Sequence, residues 1–185
     1  MLDKKDIILT GDMEPAEYRR FLNEVRTQKD YIKIKNGHYA SLNTLSNDMV
    51  NIEKIIPSGI LCLYSAWHFY GMTTQVPDSF YIAIARARKV RLPSIPDITL
   101  VYQSPKLLDF GADVTTADSF NVRIYNRERC VCDAIKYRNK IGIDTMSEIL
   151  NAYLKHDGRN LDKLHKYAVT LRVQTILKQY LEIAL

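Results

Sequence analysis

Residues 121–143, NVRIYNRERCVCDAIKYRNKIGI, decide the fold because they place a strand directly before a helix. Val122 and Ile124 alternate with polar neighbours, which is typical of a short strand. Asn126 then stands where its side chain can cap the helix that follows. The helix carries an apolar stripe formed by Val131, Ala134 and Ile135. This stretch therefore predicts a strand, a capped helix start and a helix that buries one face.

Charged residues frame this helix. Arg127 and Arg138 flank the apolar stripe, so both guanidinium groups are expected to reach outward along the neighbouring surface. Arg129 and Asp133 are four residues apart and lie on the same side of the helix. This spacing favours a structural ion pair over a catalytic role for Asp133. Lys140 continues the basic outer face.

The composition predicts a folded protein with a basic surface. The chain has 185 residues, 46% of them hydrophobic, which allows one body or a small domain with an appendage. The net charge of +5 and the pI near 9.0 favour a nucleic acid or an acidic protein as partner. No apolar run approaches the length of a membrane span, and the first residues lack the apolar core of a signal peptide. We therefore expect a cytoplasmic protein that does not enter a membrane.

The first 45 residues predict a helix followed by a hairpin. Residues 1–14 allow at most one strand or turn, at 7–9, and Pro15 opens a helix. The next segment, YIKIKNGHYASL (31–42), alternates apolar and basic residues around the tight-turn signal Asn36-Gly37. A basic helix followed by a basic hairpin is the order of a recognition helix and wing, although an ordinary helix and hairpin with solvated lysines remains equally open. The candidate DNA-binding residues are Arg19, Arg20, Asn23, Arg26, Lys33, Lys35 and His38.

The middle of the chain predicts a buried helix and two strands. Residues 43–57 read as a connection, and 58–71 as an apolar helix that ends at Gly71. Residues 80–85 and 97–103 predict fully buried strands. The segment between them is a solvated hairpin tip or a contact patch. The second basic patch, which is expected to meet DNA or a protein partner, comprises Arg86, Arg88, Lys89, Arg91, Arg123, Arg127, Arg138 and Lys140.

The remaining residues predict a helical C-terminus. Thr145 and Glu148 have the spacing of a capping box, and their helix is expected to stop at Gly158. Asn160 can cap the next segment, which predicts one long helix or two abutting helices.

Catalytic patterns are scarce in the sequence. The three cysteines fit a reducing compartment. Cys130 and Cys132 are two residues apart, so on a helix they point in different directions, and no second pair of cysteines or histidines at ligand spacing completes a metal site. We therefore expect no cofactor, no metal site and no enzymatic activity. The alternative is a metal-dependent nucleic-acid-processing enzyme that uses a carboxylate cluster. Its four candidate acids are Asp109, Asp113, Asp118 and Glu128.

Four segments together resemble the AbiEi family of antitoxins from abortive-infection, type IV toxin-antitoxin systems. They are YIKIKNGHYASL (31–42), PSGILCLYSAWHFYGMTTQVP (57–77), VRIYNRERCVCDAIKYRNKIGID (122–144) and LHKYAVTLRVQTILKQYL (164–181). The most specific motifs are Ser65-Ala66 with Gly71, and Arg127-Glu128-Arg129 with Asp133.

The resemblance implies a function. In this family an N-terminal winged helix binds inverted repeats in promoter DNA and represses its own operon. The C-terminal domain is linked to antitoxic activity against a nucleotidyltransferase, with or without direct contact. The expected fold is α+β, with an abbreviated winged-helix segment at 1–45. An antitoxin domain follows at 46–185, with a small sheet packed by several helices.

Overall fold

The computed structural model describes residues 7–28, 30–45, 50–117 and 120–184. Helices and two β-sheets make up this part of the chain, which confirms the α+β class. The first sheet is formed by residues near the N-terminus and the second by residues 60–125.

The N-terminal elements form a three-stranded antiparallel sheet with one helix packed on it. The strands are β1 (Ile8–Leu9), β2 (Tyr31–Lys35) and β3 (His38–Ser41), in the order β1-β3-β2, and helix α1 spans Pro15–Gln28. Gly37 closes the predicted hairpin turn with φ 76°, in the left-handed region that glycine adopts without strain. The predicted helix and hairpin are therefore present.

A β-bulge interrupts β2 at Ile34. Lys33 pairs with Tyr39 and Lys35 pairs with His38, so Ile34 is an extra residue without a partner in β3. Its side chain is buried, and its carbonyl accepts a hydrogen bond of 3.0 Å from the backbone N–H of Ser94. The bulge is thus the place where a distant loop joins the hairpin, since a bulged residue leaves backbone groups unpaired.

Two short helices, α2 (Leu42–Leu45) and α3 (Ile52–Ile55), lie on either side of residues 46–49, which are outside the described ranges. They lead to a five-stranded mixed sheet of order β6-β5-β4-β8-β7. Its strands are β4 (Ile60–Leu61), β5 (Phe80–Ala85), β6 (Ile98–Gln103), β7 (Ala112–Ala117) and β8 (Phe120–Tyr125). Helices α4 (Leu63–Phe69) and α5 (Pro105–Leu108) follow β4 and β6.

The prediction of one apolar helix over 58–71 is wrong in its first half. Ile60 and Leu61 form the central strand, which pairs with β5 on one side and with β8 on the other. The helix occupies only 63–69, and Gly71 follows with φ 64° as predicted. A continuous apolar run fits a central strand as well as a buried helix, so periodicity could not separate the two.

The prediction of a hairpin tip between β5 and β6 is also wrong. These strands are parallel, from Phe80 opposite Ile98 to Ala85 opposite Gln103, so the intervening residues must run back along the sheet. In doing so they pass the bulge of β2. Strand β6 is moreover an edge strand, with Tyr102 half exposed, rather than a fully buried one.

Four helices close the described chain. They are α6 (Arg127–Ile141), α7 (Ile143–Lys155), α8 (Leu161–Thr170) and α9 (Gln174–Ala184). The Asn126 and Asn160 side chains accept hydrogen bonds from the N–H groups of Arg129 and Lys163, which confirms both predicted caps. The C-terminal segment forms two helices, separated at Arg172 with φ 60°.

The predicted capping box in α7 is wrong. This helix begins at Ile143, directly after Gly142, so Thr145 already lies in its first turn. Glu148 instead accepts hydrogen bonds from the Thr74 N–H (2.7 Å) and the Thr73 hydroxyl (3.0 Å), while Thr145 accepts one from the Gln75 amide (2.9 Å). These side chains hold residues 73–75 against α7; we call them the 73–75 loop.

One hydrophobic core joins the two parts of the chain. Ile7, Ile34 and Ala40 of the N-terminal elements belong to the same buried cluster as Ile55 and Ile82. The predicted domain boundary between 45 and 46 adjoins residues that are not described. Buried residues from either side of it, such as Ile34 and Ile55, nevertheless belong to one hydrophobic cluster. Within the described ranges, the helices lack the combination of length and apolar character needed to span a bilayer.

Candidate nucleic-acid interface

Helix α1 presents a basic face to solvent. Arg19, Arg20, Asn23 and Arg26 are all exposed. Phe21 lies on the opposite face, buried edge-on against the rings of Tyr31 and Tyr39, at 5.4 and 5.2 Å between centroids. Because this aromatic contact fixes the rotation of the helix, these four side chains face away from the hairpin, whereas Glu24 reaches the Tyr31 hydroxyl at 3.5 Å.

The two lysines of the predicted wing have different surroundings. Lys33 is exposed, whereas the Lys35 ammonium donates a hydrogen bond of 2.5 Å to the carbonyl of Ile55. The bulge between them breaks the regular alternation of the strand. The two lysines therefore differ in exposure and in hydrogen bonding, although they are only two residues apart. His38 is half-buried, and its Nδ1 lies 3.0 Å from the Asn36 carbonyl.

Three basic side chains from separate segments converge on residues 55–58. Lys35 of β2 reaches the carbonyl of Ile55, and the Arg88 Nη1 donates to that of Pro57 at 2.5 Å. The Arg123 Nη1 of β8 donates to the carbonyl of Ser58 at 3.3 Å. We call these three residues the junction cations. The Ile55 carbonyl ends helix α3, and those of Pro57 and Ser58 belong to the turn that follows it. Carbonyls at a helix end or in a turn lack backbone partners and accept such donors.

The charges of the junction cations are unequally balanced. The Arg123 Nη2 lies 2.6 Å from the Asp109 carboxylate, which neutralises it. Lys35 and Arg88 form no ion pair with an acid of the described residues. Burial, together with repulsion from Arg88, lowers the pKa of Lys35. The hairpin and the β5–β6 connection thus meet with an excess of positive charge.

The rest of the predicted second patch is divided. Arg86, Lys89 and Arg91 are exposed in the β5–β6 connection, close in sequence to Arg88. The guanidinium of Arg127 lies 4.4 Å from the centre of the Tyr70 ring. Arg138 donates to the carbonyl of Ile135 in its own helix at 3.0 Å, and Lys140 is exposed. Arg127 and Arg138 are separated by about 16 Å along α6, from a rise of about 1.5 Å per residue, so they do not form one compact site.

The predicted ion pair between Arg129 and Asp133 is present and is buried. Their side chains are 0% and 2% exposed, and the Nε atom lies 3.0 Å from Oδ2. The Arg129 Nη1 also donates to the carbonyls of Leu107 and Phe110, at 3.2 and 3.0 Å. Burial raises the pKa of the Asp133 carboxyl, against the opposing effect of the Arg129 charge. The pair thus ties α6 to the segment after β6, which is a structural role.

The three described acids of the alternative enzyme prediction, Asp109, Asp113 and Glu128, do not form a group of metal ligands. Asp109 binds Arg123, and Asp113 is exposed on the edge strand β7. Glu128 is buried, where it accepts a hydrogen bond from the Tyr153 hydroxyl at 3.2 Å and pairs with Lys163 at 3.0 Å. Asp118 lies outside the described residues. In the ranges that are described, no three His, Cys, Asp or Glu side chains are grouped as metal ligands would be.

Sequence reasoning missed the turn at residues 55–58. Its signal was present in Pro57-Ser58-Gly59, which ends an aliphatic segment, and Ser58 adopts φ 59° there. Such a turn leaves carbonyl groups that need donors. However, nothing in the local sequence indicated that Lys35, Arg88 and Arg123 would supply them.

No model of a known protein family matches this chain, and no curated protein matches it. The resemblance to the AbiEi family therefore remains a prediction that rests on the four sequence segments.

Proposed function

We propose that the protein is a DNA-binding antitoxin that represses its own operon. The observation that carries the DNA-binding part is the position of the β2–β3 hairpin. On one side it packs against α1, whose exposed face is basic. On the other side its Ile34 carbonyl accepts a hydrogen bond from Ser94 of the β5–β6 connection, which carries four cations. A surface of this kind suits the phosphate backbone of a duplex.

The side chains on α1 suit recognition of a DNA groove. Arginine can pair with guanine and asparagine with adenine at base edges in the major groove. Arg19, Arg20, Asn23 and Arg26 provide both types on one exposed helix. The lysines of the hairpin then act as phosphate contacts that set the position of the helix.

The antitoxic part of the proposal rests on the resemblance. In this proposal the protein counteracts a nucleotidyltransferase toxin through residues 46–185, without catalytic chemistry of its own. Direct contact with the toxin is not required. Arg86, Lys89 and Arg91 are exposed and would steer an acidic surface by long-range attraction.

A gel-shift series with upstream DNA tests the DNA-binding part. The variant Arg19→Gln with Arg20→Gln and Arg26→Gln removes three charges from α1. We expect weaker binding and a slope of log K against log salt that is smaller by at most about 2.7, at about 0.9 for each of the three arginines that contacts a phosphate rather than a base. The control is Lys155→Gln with Lys166→Gln and Lys178→Gln, which removes three exposed charges from α7, α8 and α9. Equal binding and equal slopes for both variants would refute the assignment of α1.

Co-expression tests the antitoxic part. The first step establishes whether an adjacent reading frame encodes a nucleotidyltransferase; that enzyme is then induced with and without the protein, and growth is recorded. We expect growth to be restored by the wild type and by the α1 variant, because neutralisation is assigned to residues 46–185 and α1 lies outside them. Failure of the wild type to restore growth would remove the antitoxin assignment and leave DNA binding to be judged by the gel shifts.

A further inference from the structure

We infer that Lys35 and Arg88 together bind one phosphate group, and that this phosphate links the N-terminal hairpin to the five-stranded sheet. The inference rests on the proposed DNA-binding function and specifies one of its contacts. Neither residue was assigned to a shared site by sequence, since Lys35 belonged to the predicted wing and Arg88 to a separate patch.

The first argument is geometric. The carbonyls that hold the two side chains belong to Ile55 and Pro57, whose Cα atoms are at most about 7 Å apart. Each side chain uses one of its donors there, and an ammonium has three N–H groups while a guanidinium has five. Both residues are partly exposed, so their remaining donors are accessible to a ligand.

The second argument is electrostatic. Two cations are held near each other by the backbone, and within the described residues no carboxylate pairs with either of them. Their repulsion contributes to the lowered pKa of Lys35. A phosphate group between them would relieve this repulsion, because each charge would then face an anion at short range.

The third argument is topological. Lys35 belongs to the hairpin, and Arg88 belongs to the connection that follows β5. This connection also reaches the hairpin at a second point, where Ser94 donates to the Ile34 carbonyl at 3.0 Å. A phosphate bound by both side chains would therefore strengthen an existing contact between the two sheets.

A backbone phosphate of DNA is the expected source of this group. The exposed cations Arg86, Lys89 and Arg91 lie on the same connection and can follow the neighbouring phosphates of a strand. A free phosphate compound has the same chemistry, and the experiment separates the two sources.

The test compares three variants by thermal unfolding at constant ionic strength, with sodium pyrophosphate or a short DNA duplex added. Lys35→Gln with Arg88→Gln removes the two charges of the site. Lys155→Gln with Lys166→Gln removes two exposed charges from α7 and α8, outside the residues assigned to DNA or phosphate, and serves as the matched control for charge. Lys35→Arg with Arg88→Lys keeps both charges and shows whether the exchange of side chains itself prevents folding.

We expect pyrophosphate to raise the Tm of the wild type, of the matched control and of the charge-preserving variant. The rise should be lost in Lys35→Gln with Arg88→Gln. The same rise in all proteins, or none in the wild type, would overturn the site, while the α1 gel shifts would still decide DNA binding. If pyrophosphate raised the Tm but the duplex did not, Lys35 and Arg88 would form a site for a free phosphate compound. That result would count against the DNA-binding proposal.

Discussion

At the scale of single residues, Arg129 and Asp133 form the most deeply buried ion pair of the described structure, with side chains 0% and 2% exposed. The guanidinium lies 4.4 Å from the centre of the Tyr125 ring and bonds two backbone carbonyls besides the carboxylate. The Arg129 Nη2 and the Asp133 Oδ1 are buried and have no hydrogen-bond partner among the described residues. Removing either partner would therefore leave a charge that water cannot reach.

We expect Asp133→Ala to lower the free energy of unfolding by about 3–5 kcal/mol, the cost of leaving one buried charge unpaired. Replacing both partners, with Arg129→Met and Asp133→Ala, should cost less than the sum of the two single changes, because no charge remains buried. Urea denaturation of the two single variants, the double variant and the wild type gives the coupling. If the costs of the two single changes add up to that of the double change, the coupling free energy between Arg129 and Asp133 is zero and the expectation is wrong.

At the scale of elements, α7 holds the 73–75 loop through Glu148. Partial burial disfavours its charged form, but the hydrogen bonds from Thr74 and Thr73 outweigh this effect and lower the pKa of Glu148. A carboxyl whose pKa is lower in the folded state stabilises the fold above its unfolded pKa. This contribution is lost as the pH falls through the lowered folded value.

The variant Glu148→Gln should therefore unfold more easily than the wild type near pH 7, and the difference between their Tm values should shrink on acidification below about pH 4, near the ordinary pKa of a glutamate. Asp144→Asn is the control, because it removes an exposed carboxylate from the same helix without touching the 73–75 loop. A Tm difference for Glu148→Gln that stays constant from pH 7 to pH 3 would contradict the role of the charged carboxylate.

At the scale of the whole molecule, the shared core links the N-terminal elements to the larger part of the chain, which is the five-stranded sheet with the helices packed on it. Ile34 is only 1% exposed and belongs to the main cluster, although it lies on the hairpin. The ammonium of Lys54 also donates to the carbonyl of Ile7 at 2.9 Å. Because the two parts share buried contacts, unfolding of one part destabilises the other, and we expect both to unfold in one cooperative transition.

Ile34→Ala should lower the midpoint of unfolding reported by Trp67, the single tryptophan of the chain, which is fully buried in the larger part. The expected cost is about 2–5 kcal/mol, as for other isoleucine truncations in a core. Ile32→Ala, on the same strand but partly exposed, should have a smaller effect. If Ile34→Ala left the tryptophan transition unchanged while the circular dichroism showed early loss of structure, the two parts would unfold independently.

The sequence by itself determined the features that depend on near neighbours in the chain. The Asn126 cap, the turn at Gly37 and the pairing of Arg129 with Asp133 each involve residues at most four positions apart. Backbone geometry fixes such spacings wherever a helix or hairpin forms. The α+β class followed from the same local patterns.

Only the tertiary structure decided which segments meet. Ile60 and Leu61 form a strand because two other strands pair with them. Strands β5 and β6 pair in parallel, and the connection between them therefore runs back along the sheet. The junction cations converge from positions 35, 88 and 123 onto residues 55–58. These outcomes depend on burial and pairing between distant segments, for which local periodicity carries no signal.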